Sequence, residues 1–172
     1  MNYHNITKVD MLNGDGLRVV LWVSGCEHGC KGCHNPQTWS HDSGIPFDEL
    51  AKEELFKELS NEYITGITFS GGDPLSKLNR NKSMELIKEI KSKFPQKDVW
   101  VYTGYLKQEV DNLDGFENID VLVDGKYIEE LNFPLCIYRQ LKHKYSRIHQ
   151  GYLLLVLNNL YKPIYLFEGI SI

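Results

Sequence analysis

The chain has 172 residues, 42% of them apolar, with a net charge of −4 and a pI of about 5.9. That length fits one domain with a real core, and the acidic balance argues against a nucleic-acid partner. No apolar run approaches the roughly 20 residues that a bilayer span needs, and Met1-Asn2-Tyr3-His4-Asn5 lacks the charged-then-apolar pattern of a signal peptide. The sequence therefore predicts a cytoplasmic protein with no membrane association. In such a reducing compartment, clustered cysteines mean metal or redox chemistry rather than disulfides.

Thr7 to Gly16 carries turn chemistry, above all Asn13-Gly14-Asp15-Gly16. Leu17 to Val23 is β-branched and aromatic and reads as a buried strand. Asp48 to Leu59 reads as an amphipathic helix, with Leu50, Leu55 and Leu59 near helical spacing. Ile64 to Phe69 is a second strand, and Ser83 to Phe94 a second helix that Pro95 stops. Asp98 to Tyr102, a short helix over Leu106 to Leu113, and a strand over Ile119 to Val123 complete the series. Trp22 and Trp100 lie on strands and read as core. Strands separated by helices call for right-handed crossovers, so the expected class is α/β with a mainly parallel sheet.

Each predicted strand is followed by glycine or a polar residue: Gly25-Cys26, Gly71-Gly72-Asp73, Thr103-Gly104 and Asp124-Gly125. In parallel α/β folds the loops at the carboxyl ends of strands build the site. These four loops should meet on one rim.

The first loop holds Cys26, Cys30 and Cys33, spaced C-x3-C-x2-C. Glycines at 25, 29 and 32 allow the tight backbone that would aim three sulfurs at one centre. Zinc needs four ligands, usually in C-x2-C pairs. Its fourth could be His28, His34, His41 or the distant Cys136, but no second pair exists. A 4Fe-4S cluster on three cysteines leaves one iron open, which suits catalysis, and the spacing favours it over zinc. Gly71-Gly72 would let backbone carbonyls approach a ligand closely, a tight turn before a helix being the plainer use. His34 and Asn35 could hydrogen-bond a ligand or a cluster sulfide, or simply cap the loop, and Trp39 could shield the cluster from water.

The three cysteines after the first strand and the glycine pair after the second resemble the radical S-adenosylmethionine superfamily. A narrower family is similar in more places. Asn13-Gly14-Asp15-Gly16-Leu17-Arg18-Val19, Val23-Ser24-Gly25-Cys26, Gly32-Cys33-His34-Asn35 and Thr38-Trp39 resemble the activating proteins of anaerobic ribonucleotide reductase. So do Ser70-Gly71-Gly72-Asp73-Pro74-Leu75, Lys97-Asp98-Val99-Trp100, Thr103-Gly104-Tyr105 and Val123-Asp124-Gly125-Lys126. The resemblance covers about residues 1–138 in order.

That resemblance implies an open, incomplete (βα) barrel and a radical enzyme. Cys26, Cys30 and Cys33 would hold one 4Fe-4S cluster, and S-adenosylmethionine would be cleaved there. Gly71, Gly72 and Asp73 would border its amino group, with Gly32, Cys33, His34, Thr103 and Asp124 beside the cofactor. The implied partners are the large subunit of anaerobic ribonucleotide reductase, which would receive a glycyl radical, and a reduced flavodoxin- or ferredoxin-type electron donor. An activase of another glycyl-radical enzyme, of the formate acetyltransferase type, is the alternative within the superfamily. A zinc-binding structural module is the alternative outside it.

One departure divides the chain at 138. The family follows its Val-Asp-Gly-Lys strand with Arg-Gly-Ser-Ser-Asn, whereas this chain has Arg139-Gln140-Leu141-Lys142-His143-Lys144. The codons AGG CAG CTC AAA CAC, with an A following, permit those residues; dropping the first base gives Gly-Ser-Ser-Asn-Thr. Residues 139–172 are thus expected to be a divergent tail, out of frame, that is not selected to pack. Gene codons incompatible with that frame would end the idea. A genuine C-terminus would instead form a helix or strand over Gly151 to Leu160.

Overall fold

The computed structural model describes residues 1–129, 136–141 and 144–148. The element expected over Gly151 to Leu160 lies outside the described residues. The described elements are β1 (Asn2–Asp10), β2 (Arg18–Val23), β3 (Ile45–Pro46), α1 (Glu49–Leu59), β4 (Gly66–Gly71) and α2 (Arg80–Lys93). They continue with β5 (Asp98–Tyr102), α3 (Lys107–Val110), β6 (Val121–Asp124), β7 (Cys136–Leu141) and β8 (Lys144–Ile148).

All the strands form one mixed sheet in the order β3-β1-β2-β4-β5-β6-β7-β8. The fold is α/β, as expected. The parallel arrangement holds for the central strands β2, β4, β5 and β6, and the flanking pairings are antiparallel. Among the described residues the sheet is not closed, and β3 and β8 stand at its two ends. The boundary expected at 138 falls inside β7, so the described part of the tail continues the sheet.

β1 is a strand that the sequence conceals. Thr7 to Asp10, read as the start of a turn, is its last stretch. Register shifts between Tyr3 and Asn5 and between Thr7 and Asp10 break the period of two. Only Tyr3 and Ile6 are buried along it, three apart, so no alternation marks it as a strand. The expected helix ends shift as well. Asp48 is the cap of α1 rather than its first residue, and its carboxylate accepts from the Ala51 N–H at 3.0 Å.

One face of the sheet carries Val19, Leu21, Ile67, Phe69, Val99, Val101 and Leu122, packed with Leu55 and Leu59 of α1 and Ile87 and Ile90 of α2. Burial of each such helix side chain contributes about 1.5–3 kcal/mol. The helices bury their apolar residues on this face. The other face carries Trp100, Val121 and Val123 with Tyr102.

Arg18 ties the start of β2 to its neighbours. Its guanidinium, fully buried, donates to Thr68 Oγ1 at 2.9 Å, to the Ile67 carbonyl at 3.0 Å and to Asp98 Oδ1 at 2.6 Å. Arg18, Gly66 and Asp98 are register partners on three adjacent strands. A Cβ on Gly66 would stand 2.0 Å from Asp98 Oδ1, so the missing side chain is what lets the ion pair cross β4.

Candidate metal and cofactor site

The carboxyl ends of β2, β4, β5 and β6 open into one cavity of about 430 Å³. It is lined by Cys26, His28, Cys30, Cys33 and His34 from the first loop, and by Gly71, Gly72 and Asp73 from the second. Thr103 and Gly104 come from the third and Gly125 from the fourth. The expected meeting of four loops is present.

The first two loops are fastened backbone to backbone. Asp73 N–H donates to the Gly25 carbonyl at 2.7 Å, and Gly72 N–H donates to the Val23 carbonyl at 2.8 Å. A Cβ on Gly72 would stand 2.6 Å from the Gly25 oxygen. The turn over residues 36–39 holds the cysteine loop from its other side. There Gly25 N–H donates to the Thr38 carbonyl at 2.7 Å and Cys26 N–H to the Trp39 carbonyl at 2.9 Å.

The cysteine sulfurs differ in their surroundings. Cys33 Sγ accepts from the Asn35 N–H and from Trp39 Nε1, each at 3.4 Å. Burial pushes the Cys26 thiol up to about 11; the His28 backbone N–H pulls the other way, and nearby Asp73 adds to the rise. A thiolate at Cys26 near neutral pH therefore calls for a cation beside it. Among the described residues no group of three or more His, Cys, Asp or Glu side chains stands converged as a metal site. Cys26, Cys30 and Cys33 share the cavity wall.

Two of the histidines named as possible fourth zinc ligands, His28 and His34, have other partners. His28 Nε2 meets Asp73 Oδ2 at 2.6 Å. The His34 ring lies 4.8 Å from the Tyr127 ring, and His41 packs against Gly25. Gly32 is packed against Glu129 rather than facing the cavity. Asp124 Oδ2 accepts from the Lys107 N–H at 2.7 Å, at the start of α3, and Asp124 is not among the residues that line the cavity. Thr103 lines the cavity, but its hydroxyl donates to the Asp73 carboxylate at 2.9 Å.

The family model described as a 4Fe-4S single cluster domain matches residues 12–144. A protein of Enterobacteria phage T4 is 44% identical over 134 residues, covering 78% of this chain and 85% of its own. One from Haemophilus influenzae is 39% identical over 154 residues, covering 85% and 99%. One from Escherichia coli is 41% identical over 143 residues, covering 81% and 93%. All three are named anaerobic ribonucleoside-triphosphate reductase-activating protein. The chain belongs to this family of activating proteins. The cluster-domain description sides with iron–sulfur over zinc for the cysteine loop.

In this activating-protein chain the cavity also has walls that the sequence did not disclose. Trp22, Tyr102, Asn13 and Tyr127 line it. Trp22 was expected in the core; it is half-buried, and its Nε1 donates to Thr7 Oγ1 at 2.8 Å. Alternation along a parallel strand was the available signal, since Trp22, Ser70 and Tyr102 all line the cavity, on the sheet face opposite α1 and α2. No described helix is long and apolar enough to cross a membrane.

Proposed function

We propose that this chain is a radical S-adenosylmethionine activase that places a glycyl radical on anaerobic ribonucleoside-triphosphate reductase. The observation that carries the proposal is the convergence of the three-cysteine loop and the Gly71-Gly72-Asp73 loop on one cavity at the strand ends. Cys26, Cys30 and Cys33 would hold a 4Fe-4S cluster. When bound, that cluster would supply the electron for reductive cleavage of S-adenosylmethionine, the source of the hydrogen-atom abstraction that would leave a radical on the partner's glycine.

The chain's own residues receive, orient and shield. Carbonyls at Gly71 and Gly72 accept from the cofactor's ammonium group, and the Asn35 N–H and Trp39 Nε1 steady the Cys33 sulfur. Trp22, Tyr102 and Tyr127 keep the cavity dry around a reactive radical. Gly32 packs against Glu129, and Asp124 Oδ2 accepts from the Lys107 N–H; both stand beside the bound cofactor. The unclosed sheet is an incomplete barrel whose open side admits a glycine loop of the large subunit. Reduced flavodoxin or ferredoxin supplies the electron, and the site is cytoplasmic.

The partner is tested by mixing the iron-loaded, reduced protein with S-adenosylmethionine and each of two large subunits without oxygen. A glycyl-radical resonance on anaerobic ribonucleotide reductase, and none on formate acetyltransferase, is the expected result. The reverse pattern would move the chain to the other branch of activases.

A further inference from the structure

His28 lies between two of the cysteines, yet its side chain serves the second loop. Nε2 stands 2.6 Å from Asp73 Oδ2, with only 9% and 2% of the two side chains exposed. Asp73 receives three further donors. The Leu75 N–H reaches Oδ1 at 2.8 Å, the Thr103 hydroxyl reaches Oδ1 at 2.9 Å and Oδ2 at 3.0 Å, and the Gly104 N–H reaches Oδ2 at 3.0 Å. A carboxylate accepts about four hydrogen bonds, so Asp73 is saturated by protein donors.

The imidazole is fitted on its other sides as well. Its ring packs edge-on to Tyr105 at 4.7 Å. Burial, then Glu27, pushes the Tyr105 phenol up to about 12, so it remains a donor, and it bonds Glu27 Oε2 at 2.8 Å. A Cβ on Gly104 would stand 2.3 Å from His28 Cδ2, so the absence of a side chain there leaves the ring its place.

We infer that His28 is a positioning residue: through Asp73 it locks the cysteine loop to the loops after β4 and β5, setting where the cluster stands relative to the amino-acid end of the cofactor. Asp73 thereby acts as the hub of three loops, and the cofactor's ammonium group falls to the Gly71 and Gly72 carbonyls. This rests on the cluster-and-cofactor reading above. Outer partners of this kind change affinity or activity roughly 10- to 100-fold when removed, leaving the primary ligands in place.

The test compares His28→Phe and His28→Gln with the unaltered protein, all iron-loaded without oxygen. Phenylalanine keeps a ring but removes the donor; glutamine returns an N–H close to the position of Nε2. The expected result is full iron content in all three. S-adenosylmethionine should bind roughly tenfold or more weakly to His28→Phe, and the cofactor-induced change in the reduced cluster's resonance should be lost. His28→Gln should restore both to within about twofold. Hydrogen exchange should rise in the 24–33, 71–77 and 103–106 segments of His28→Phe alone. Wild-type binding, spectrum and exchange in His28→Phe would overturn the inference, as would loss of iron equal to the loss of binding. If the unaltered protein binds no S-adenosylmethionine, the function above fails; the exchange comparison still decides the loop-locking role on its own.

Discussion

Cys30→Ala is expected to abolish 5′-deoxyadenosine formation while leaving the fold intact. Cys30 lies on the cavity wall, half-buried, in a loop that contributes nothing to the main apolar core. Beside it, a Cβ added at Gly29 would meet no atom within 4 Å, so the loop is loosely packed here. Removing one sulfur should therefore change stability by no more than about 0.5 kcal/mol, and circular dichroism should be unaltered. The chemical effect is of another order. With Cys26 and Cys33 alone, only two thiolates remain where the proposed cluster takes three. Iron content should fall well below that of the unaltered protein after identical reconstitution, and cleavage should reach background. Retained cleavage would refute the ligand assignment.

Gly72→Ala is expected to damage both stability and turnover. The added Cβ would stand 2.6 Å from the Gly25 oxygen and 2.9 Å from its carbonyl carbon and nitrogen. All three are backbone atoms, so no side chain can swing aside. The cysteine loop and the glycine loop must separate, and the 2.7 Å bond from Asp73 N–H to the Gly25 carbonyl stretches. Overpacking of this kind costs about 1–3 kcal/mol, a fall in Tm of roughly 2–12 °C for a chain of this size. A displacement of about 1 Å between reacting groups costs on the order of 100-fold in rate. Thermal melting of the metal-free protein and the rate of 5′-deoxyadenosine formation read the two effects separately. Unchanged melting with turnover within about twofold would show that the two loops do not need this close approach.

The legible parts of the fold were those with an unbroken local pattern. β2, β4 and β5 are runs of β-branched and aromatic residues, and α1 and α2 place Leu55, Leu59, Ile87 and Ile90 on one face. β1 was concealed because its bulges destroy alternation, leaving Tyr3 and Ile6 three apart. In the site, Gly-Gly-Asp and Thr-Gly looked alike as strand-end signals, and so did Asp124-Gly125. Their places in the fold differ: Thr103 lines the cavity, and Asp124 Oδ2 accepts from the Lys107 N–H. The His28–Asp73 contact spans 45 residues and exists only because β2 and β4 are neighbours. No local pattern could reveal it. The same holds for Tyr127 and Glu129, which come back over the cysteine loop onto His34, Lys31 and Gly32.

On the proposed function, the strand-end cavity holds a cluster that cleaves S-adenosylmethionine. Anaerobic reconstitution with iron and sulfide, then dithionite, S-adenosylmethionine and chromatography for 5′-deoxyadenosine, tests it most directly. The predicted result is a brown protein with about four irons per chain that forms 5′-deoxyadenosine together with methionine. A colourless protein with about one zinc per chain, or a fully iron-loaded protein that leaves S-adenosylmethionine intact, would contradict it.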